Sequence, residues 1–263
     1  MEKWDFSKIN TRCSLHNHSN FSDGASSLAD MVRAGKAAGL EILGISDHWV
    51  VPPFEGSDSE EWSMDLSRLD EYVDTLLKLK KEYESDSFAL KIGLEVDFFF
   101  ENVHDVVKNL QTYPLDYMIG SVHYSGTFSV DHDSSDWLPL SEEERHEVTL
   151  EYWRKLEGAA NCGLFTFIGH LDLPKKFAMI DNSRYLPQAV KVLDAVQKTS
   201  GCIELNTAGW YKPAGEPYPG KEMLQEAYRR NAAVTINADA HCPEHLTRGF
   251  SEAAALLKQV GYC

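Results

Sequence analysis

The sequence predicts an α/β chain in which strand–helix units repeat around a parallel sheet that closes into a barrel. Three observations predict it. Seven short apolar runs alternate with seven segments of helical periodicity, the pattern of repeated βα units. The 263 residues suit one α/β barrel of roughly 250 residues better than two average domains, so residues 1–263 are read as a single domain. Finally, neither G-x-G-x-x-G nor G-x-x-x-x-G-K-[ST] occurs, which removes the phosphate loops of open doubly wound sheets.

The expected strands are Cys13–His18, Glu41–His48, Ala89–Phe99, Tyr117–Tyr124, Phe165–Asp172, Cys202–Ala208 and Ala233–His241. Each is a short apolar run carrying polar residues at its C-terminal end. Leu28–Ala38 reads as the first helix: Ser27 and Asp30 form a capping box before it and Gly39 ends it. Leu66–Glu84 carries apolar residues at 66, 69, 73, 76, 77 and 79, one face of a helix. Further helices are expected at Val103–Leu110, Glu142–Ala160, Pro187–Lys198, Lys221–Asn231 and Ser251–Val260.

Composition narrows the function. Apolar residues make up 43% and charged residues 25%, which excludes disordered and fibrous classes. No apolar run reaches the roughly 20 residues of a membrane span. The N-terminus lacks an apolar signal region, and five cysteines without C-x-x-C indicate reduced thiols, so a cytoplasmic location is expected. The net charge of −16 opposes binding to a phosphate backbone; no nucleic acid or membrane partner is expected. Residues 55–86 and 131–147 are strongly acidic and read as solvated faces.

The chemistry collects at the strand ends. Six of the ten histidines, His16, His18, His48, His123, His170 and His241, fall there, with Asp47, Glu95, Asp97, Asp172, Glu204, Asn206 and Asp239. In an α/β barrel that face carries the active site. So many imidazoles and carboxylates around one mouth call for divalent cations, and nitrogen and oxygen donors without thiolate suit catalytic Zn, Fe or Mn. In His16-Asn-His18 and Asp239-Ala-His241, residues i and i+2 share a strand face, and Ser22-Asp23-Gly24 makes a turn that exposes a carboxylate. Lys175, Lys176, Lys212 and Arg248 follow the later strands, and so many cations beside a metal site in an acidic chain suggest a clamp for phosphate. Asp47, Asp97 and Asp172 are expected to orient imidazoles, while Glu204 and Asn206 point inward, to substrate or to a buried network. His104 and His146 read as surface residues, His132 as part of a loop near the mouth and His245 as a helix cap.

His16-Asn-His18 with Ser22-Asp23-Gly24, Ser46-Asp47-His48, Gly93-Leu-Glu95, Ser121-Val-His123, Gly169-His170 and Ala238-Asp239-Ala-His241 resemble, in order, the motifs of the PHP (polymerase and histidinol phosphatase) superfamily. Gly169–Lys176 and Glu204–Glu216 resemble its histidinol-phosphate phosphatase branch, with Tyr211 standing where that branch usually carries a basic residue. The resemblance implies a distorted seven-stranded (β/α) barrel holding two to three divalent metal ions. One would lie on His16, His18, Glu95 and Asp239, a second on Asp23, His48 and His170, and a third on Glu95, His123 and His241. Glu95 would bridge two ions and Asp239 would handle the proton. Lys175, Lys176, Lys212, Arg248 and Asn206 would meet a small phosphorylated metabolite, L-histidinol phosphate being the leading substrate. Alternatives are another phosphoesterase acting on nucleotides or other small phosphometabolites, and amide or lactone hydrolysis, which needs no basic cluster.

Overall fold

In a computed structural model of the chain, which describes residues 4–199 and 201–263, all seven strand–helix units form. The elements, in order, are β1 (Cys13–Ser14), α1 (Leu28–Ala37), β2 (Ile42–Ile45), β3 (His48–Trp49), α2 (Leu69–Tyr83), β4 (Ala89–Asp97), α3 (Val103–Leu110) and β5 (Tyr117–Ser121). A hairpin of β6 (Tyr124–Ser125) and β7 (Phe128–Ser129) follows, then α4 (Ser134–Trp137) and α5 (Glu142–Cys162). The chain ends with β8 (Phe167–Ile168), α6 (Leu186–Lys198), β9 (Cys202–Asn206), α7 (Lys221–Arg229), β10 (Ala233–Asn237) and α8 (Phe250–Val260). The barrel strands run parallel in the order β1-β2-β4-β5-β8-β9-β10, with β3 carrying the second strand onward along β4. The seam between β10 and β1 is narrow: Asn17 bridges Ala240, and the His18 N–H donates to the Ala240 carbonyl at 2.8 Å.

The helix ends follow their sequence signals. Ser27 accepts from the Asp30 N–H ahead of α1, and Ser141 and Glu144 form a reciprocal capping box ahead of α5, which stops at Gly163 in the left-handed region. The second helix starts later than its apolar spacing suggests, because Leu66–Arg68 is a separate 3-10 turn. The outer core lies between sheet and helices, where Leu76, Trp153, Leu156, Val192 and Leu224 are buried. Inside the barrel, Leu15, Tyr117, Ile119 and Phe167 pack as a separate apolar floor. Tyr117 needs two glycines to lie there. A Cβ at Gly44 would stand 2.2 Å from its hydroxyl oxygen, and one at Gly93 would stand 2.3 Å from its ring. That floor fills the lower barrel and leaves the mouth to polar side chains.

The strands stop earlier than their sequence pattern. β5 ends at Ser121 and β8 at Ile168, so His123 and His170 stand beyond the last paired residue of their strands, whereas His16, His18, Asp239 and His241 flank the Asn17–Ala240 bridge past the ends of β1 and β10. Past the ladder the backbone is free to turn and aim these side chains at the barrel axis. The acidic segment 131–147, read from sequence as a solvated face, is mostly exposed, but its start crosses the mouth, where Asp131 and His132 line the opening, and Trp137 of α4 is buried.

Candidate metal centre

Glu95 stands at the centre of the mouth, 1% exposed. The β3–β4 register sets His48 directly beside it. Its Oε1 lies 2.8 Å from His170 Nε2 and 3.6 Å from His123 Nε2. Its Oε2 lies 2.8 Å from His48 Nδ1, 3.1 Å from His16 Nε2 and 3.5 Å from His18 Nε2. Asp239 faces the same rings from the closing strand, with Oδ1 3.2 Å from His18 Nε2 and 3.6 Å from His16 Nε2. It holds a left-handed backbone at φ 52°, a costly conformation for a residue other than glycine and one typical of functional sites. Asp23 completes the ring of carboxylates, its Oδ2 3.0 Å from His241 Nε2 and its Oδ1 3.6 Å from His48 Nε2.

The turn carrying Asp23 is fixed twice. Gly24 presses against the His18 backbone, where a Cβ would come within 2.7 Å. Asp47 accepts from the Ser19 and Ser22 N–H groups at 2.8 and 3.1 Å and from both serine hydroxyls. Asp47 therefore braces a loop and, among the described residues, touches no imidazole, contrary to the sequence expectation. Asp172 departs from it similarly, accepting from Lys175, Asn182 and the Gly220 N–H. Asp97 matches it, 2.5 Å from His123 Nδ1. Glu204 does the same for His16 Nδ1 at 2.8 Å and accepts the His170 N–H at 3.0 Å. Asn206 joins that network, its Nδ2 donating to Glu204 and Asp239 at 3.1 Å each. His16 and His123 thus have Nδ1 engaged outside the cluster and Nε2 turned into it, the arrangement that orients metal-bound imidazoles.

Charges within the cluster are strongly coupled. Burial pushes Glu95 and Asp239 upward, but His16 and the neighbouring rings outweigh it and hold both carboxyls well below their ordinary values. Burial likewise opposes protonation of His123, yet Asp97 and Glu95 hold it up at about 10, and Asp23 raises His241 to about 9. His18, buried between His48 and His241, falls to about 4.

The donors fit a divalent-metal cluster. Four overlapping groups bring their ligand atoms within 4.8 Å of one another: His18, Asp23, His48 and His241; His16, His18 and Glu95; His16, His170 and Asp239; His48, Glu95 and His123. This grouping differs from the one the resemblance implies, setting His170 with His16 and His241 with His18 and Asp23. Several of the atoms are buried without a hydrogen-bond partner, including His16 Nε2, both nitrogens of His18, His48 Nδ1 and Glu95 Oε2. Orphaned buried polar atoms are uncommon, and a shared set of cations satisfies them together.

A cavity of about 440 Å³ opens on this cluster and is lined also by Trp62, Asp131, Lys176, Lys212, Tyr218, His245 and Arg248. A larger hollow, about 710 Å³, lies at the other end of the barrel against Trp4, Phe167 and Tyr262. Among the described residues, three of the four metal-donor groups put a side chain on the wall of the smaller one, and the fourth, His16, His18 and Glu95, is buried against them. Lys176, Lys212 and Arg248 thus reach the cavity, whereas Lys175 is 4% exposed and held by Asp172 at 2.9 Å, Glu216 at 3.2 Å and the Pro217 carbonyl at 2.8 Å. It stitches the wall behind the cavity. The Arg248 guanidinium stacks on the Tyr211 ring at 4.1 Å, so the residue that breaks the branch pattern steadies a cation.

Sequence reasoning missed Trp62, Asp131 and Tyr218. Trp62 packs edge-on against His48 and His123, with ring centroids 4.9 and 5.3 Å away. Trp62 and Asp131 come from the two acidic stretches, whose composition gives no sign that either residue turns inward. His132 lines the rim and pairs with Asp136 at 2.8 Å, and His245 accompanies Arg248 at 3.1 Å.

The PHP domain family model matches residues 14–208. A Deinococcus radiodurans protein named "Probable histidinol-phosphatase" is 33% identical over 255 residues, 95% of this chain and 94% of its own. The Lactococcus lactis protein named "Histidinol-phosphatase" is 24% identical over 94% of this chain and 90% of its own. The barrel superposes on a crystal structure of histidinol phosphate phosphatase from Lactococcus lactis complexed with zinc, L-histidinol and phosphate, with a TM-score of 0.79, 23% identity and coverage of 95% and 94% of the two chains. The chain belongs to the PHP domain family, on the branch of its histidinol-phosphatase relatives.

Proposed function

We propose that the protein is a metal-dependent phosphomonoesterase that hydrolyses L-histidinol phosphate to L-histidinol and phosphate. The observation that carries this reading is the meeting of two unlike groups in one cavity: the imidazole–carboxylate cluster on its floor, and Lys176, Lys212 and Arg248 on its wall. An amide or lactone hydrolase needs the first and has no use for the second. Arg248 Nε is buried without a partner, and among the described residues the Lys212 ammonium has neither an ion pair nor a hydrogen bond, as groups awaiting an anion would be. The relatives and the zinc-, histidinol- and phosphate-bound neighbour agree with the reading.

His16, His18, Asp23, His48, Glu95, His123, His170, Asp239 and His241 would hold two to three ions of Zn, Fe or Mn. Such ions, when bound, supply a water acidified for attack and neutralise the phosphoryl oxygens. The chain's own residues do the rest. Lys176, Lys212 and Arg248 draw the phosphate to the cluster and orient it. Asn206 anchors Asp239 Oδ2 and leaves Oδ1 toward His16 and His18, so this carboxylate, held in its charged form by the rings, is suited to accept a proton from the attacking water. Trp62 and Tyr218 wall the site against bulk water. With the five cysteines unpaired, the reducing cytoplasm suits the protein; among the described residues no helix is long and apolar enough to cross a membrane.

Metal analysis of the purified protein beside a phosphate-release screen of phosphometabolites, amides and lactones tests the reading. L-Histidinol phosphate should lead the screen. Faster turnover of an amide or lactone than of any phosphomonoester would overturn it.

A further inference from the structure

The cavity is electrically two-sided. Lys176, Lys212 and Arg248 stand on one wall. Of the three carboxylates lining it, Asp23 and Asp239 belong to the imidazole cluster, and Asp131 does not. Asp131 sits at the start of the segment over the mouth, which is firmly tied: the Val130 N–H donates to the His123 carbonyl at 2.9 Å, and Trp137 Nε1 donates to the Val130 carbonyl at 3.1 Å. Beside it, Asp133 and Asp136 add negative charge around His132. The Lys176 ammonium donates to the Asp131 carbonyl at 2.6 Å and pairs with its Oδ2 at 3.1 Å. In the free protein, therefore, one of the three wall cations is already neutralised by the one carboxylate outside the metal cluster.

We infer that Asp131 is the acceptor for an ammonium group on the substrate, and that Lys176 passes from the Asp131 carboxylate to the phosphate as that ammonium arrives. This rests on the phosphatase reading and names its substrate class: phosphate esters of amino alcohols. A phosphate without an amine must draw Lys176 away and leave a half-buried carboxylate unpaired, which is costly. A substrate with both groups replaces the cation it removes. The bond from Lys176 to the Asp131 carbonyl can persist through the exchange, so the lysine pivots in place. Selectivity then comes from a penalty on the wrong ligand as much as from attraction to the right one.

The test uses the metal-loaded protein with L-histidinol phosphate, its deamino analogue 3-(imidazol-4-yl)propyl phosphate, and L-histidinol alone. Asp131→Asn should lower kcat/KM for the amino substrate about tenfold or more beyond its effect on the analogue, the scale of a lost charge-assisted hydrogen bond. Calorimetry should show L-histidinol binding weakened by Asp131→Asn but tightened several-fold by Lys176→Met, which leaves Asp131 without its in-chain cation. Equal losses on the two phosphates would make Asp131 a positioning residue for Lys176 and overturn the inference alone, as would weaker L-histidinol binding to Lys176→Met. A parent protein inactive on both phosphates would instead overturn the phosphatase reading, and this inference with it.

Discussion

Glu204 Oε1 lies 2.8 Å from Nδ1 of His16, with both side chains wholly buried. That contact fixes the tautomer of His16 and turns Nε2 toward Glu95 and Asp239. The second oxygen of Glu204 accepts the His170 N–H, so one carboxylate positions two rings from different strands. Glu204→Gln should weaken metal affinity roughly 10- to 100-fold, because an amide placed there opposes the His170 N–H with its own N–H₂ or gives up His16. Competition against a metal-sensitive dye measures it, and parent-level affinity would mean that Glu204 merely fills space.

Glu95 carries a larger consequence. Nitrogens of five imidazoles from four strand ends lie within 3.6 Å of its two oxygens, so its charge holds the cluster together. Glu95→Gln should lose metal content and phosphate release together, an amide being a poor bridging ligand. A variant with full metal content and near-parent turnover would contradict the central place given to Glu95.

Stripped of metal, the site should respond to pH in a definite direction. His123 is held up at about 10 by Asp97 and Glu95, against 6.5 for an ordinary histidine. Its contribution to folding is complete below about pH 6.5 and is lost as pH rises through 10. His241 acts with the same sign, but its ring is 38% exposed, so water screens part of its effect. The chelated protein should therefore melt at lower temperatures as pH rises from about 6.5 to 10. The metal-loaded protein should gain on it, since metal binding displaces those protons. Thermal scans with and without chelator across that range check both; a chelated protein whose Tm climbs through it would refute the charge balance described for His123.

The wall cations should act on phosphate and not on metal. Replacing Lys176, Lys212 or Arg248 singly with Ala removes a charge-assisted hydrogen bond worth about 1.5 to 3 kcal/mol, a loss of roughly 10- to 150-fold in kcat/KM. Metal content should stay at the parent level. Three variants that all cleave phosphomonoesters at the parent rate would remove the phosphate clamp and favour amide or lactone hydrolysis.

Much of this was legible in the sequence because a barrel confines chemistry to strand ends. Once the seven apolar runs are located, the residues after them are the donors. Which donors share an ion was not legible. His170 comes together with His16 and Asp239 because the strands stop short and the backbone turns beyond them, and no spacing encodes that turn. The neighbours Lys175 and Lys176 show the same limit on a smaller scale. They lie side by side on one 3-10 turn, so one side chain enters the cavity and the other ties down its back wall. Trp62 and Asp131 reach the site from irregular segments whose courses depend on packing against His48, His123 and Val130.

The most direct test of the account is steady-state phosphate release from L-histidinol phosphate by one preparation, measured as purified, after chelation, and after reloading with Zn, Mn or Fe. Turnover should disappear with the metals and return as two to three ions per chain are restored. Turnover unchanged by complete removal of metal would contradict it, as would a fully loaded protein that leaves L-histidinol phosphate intact.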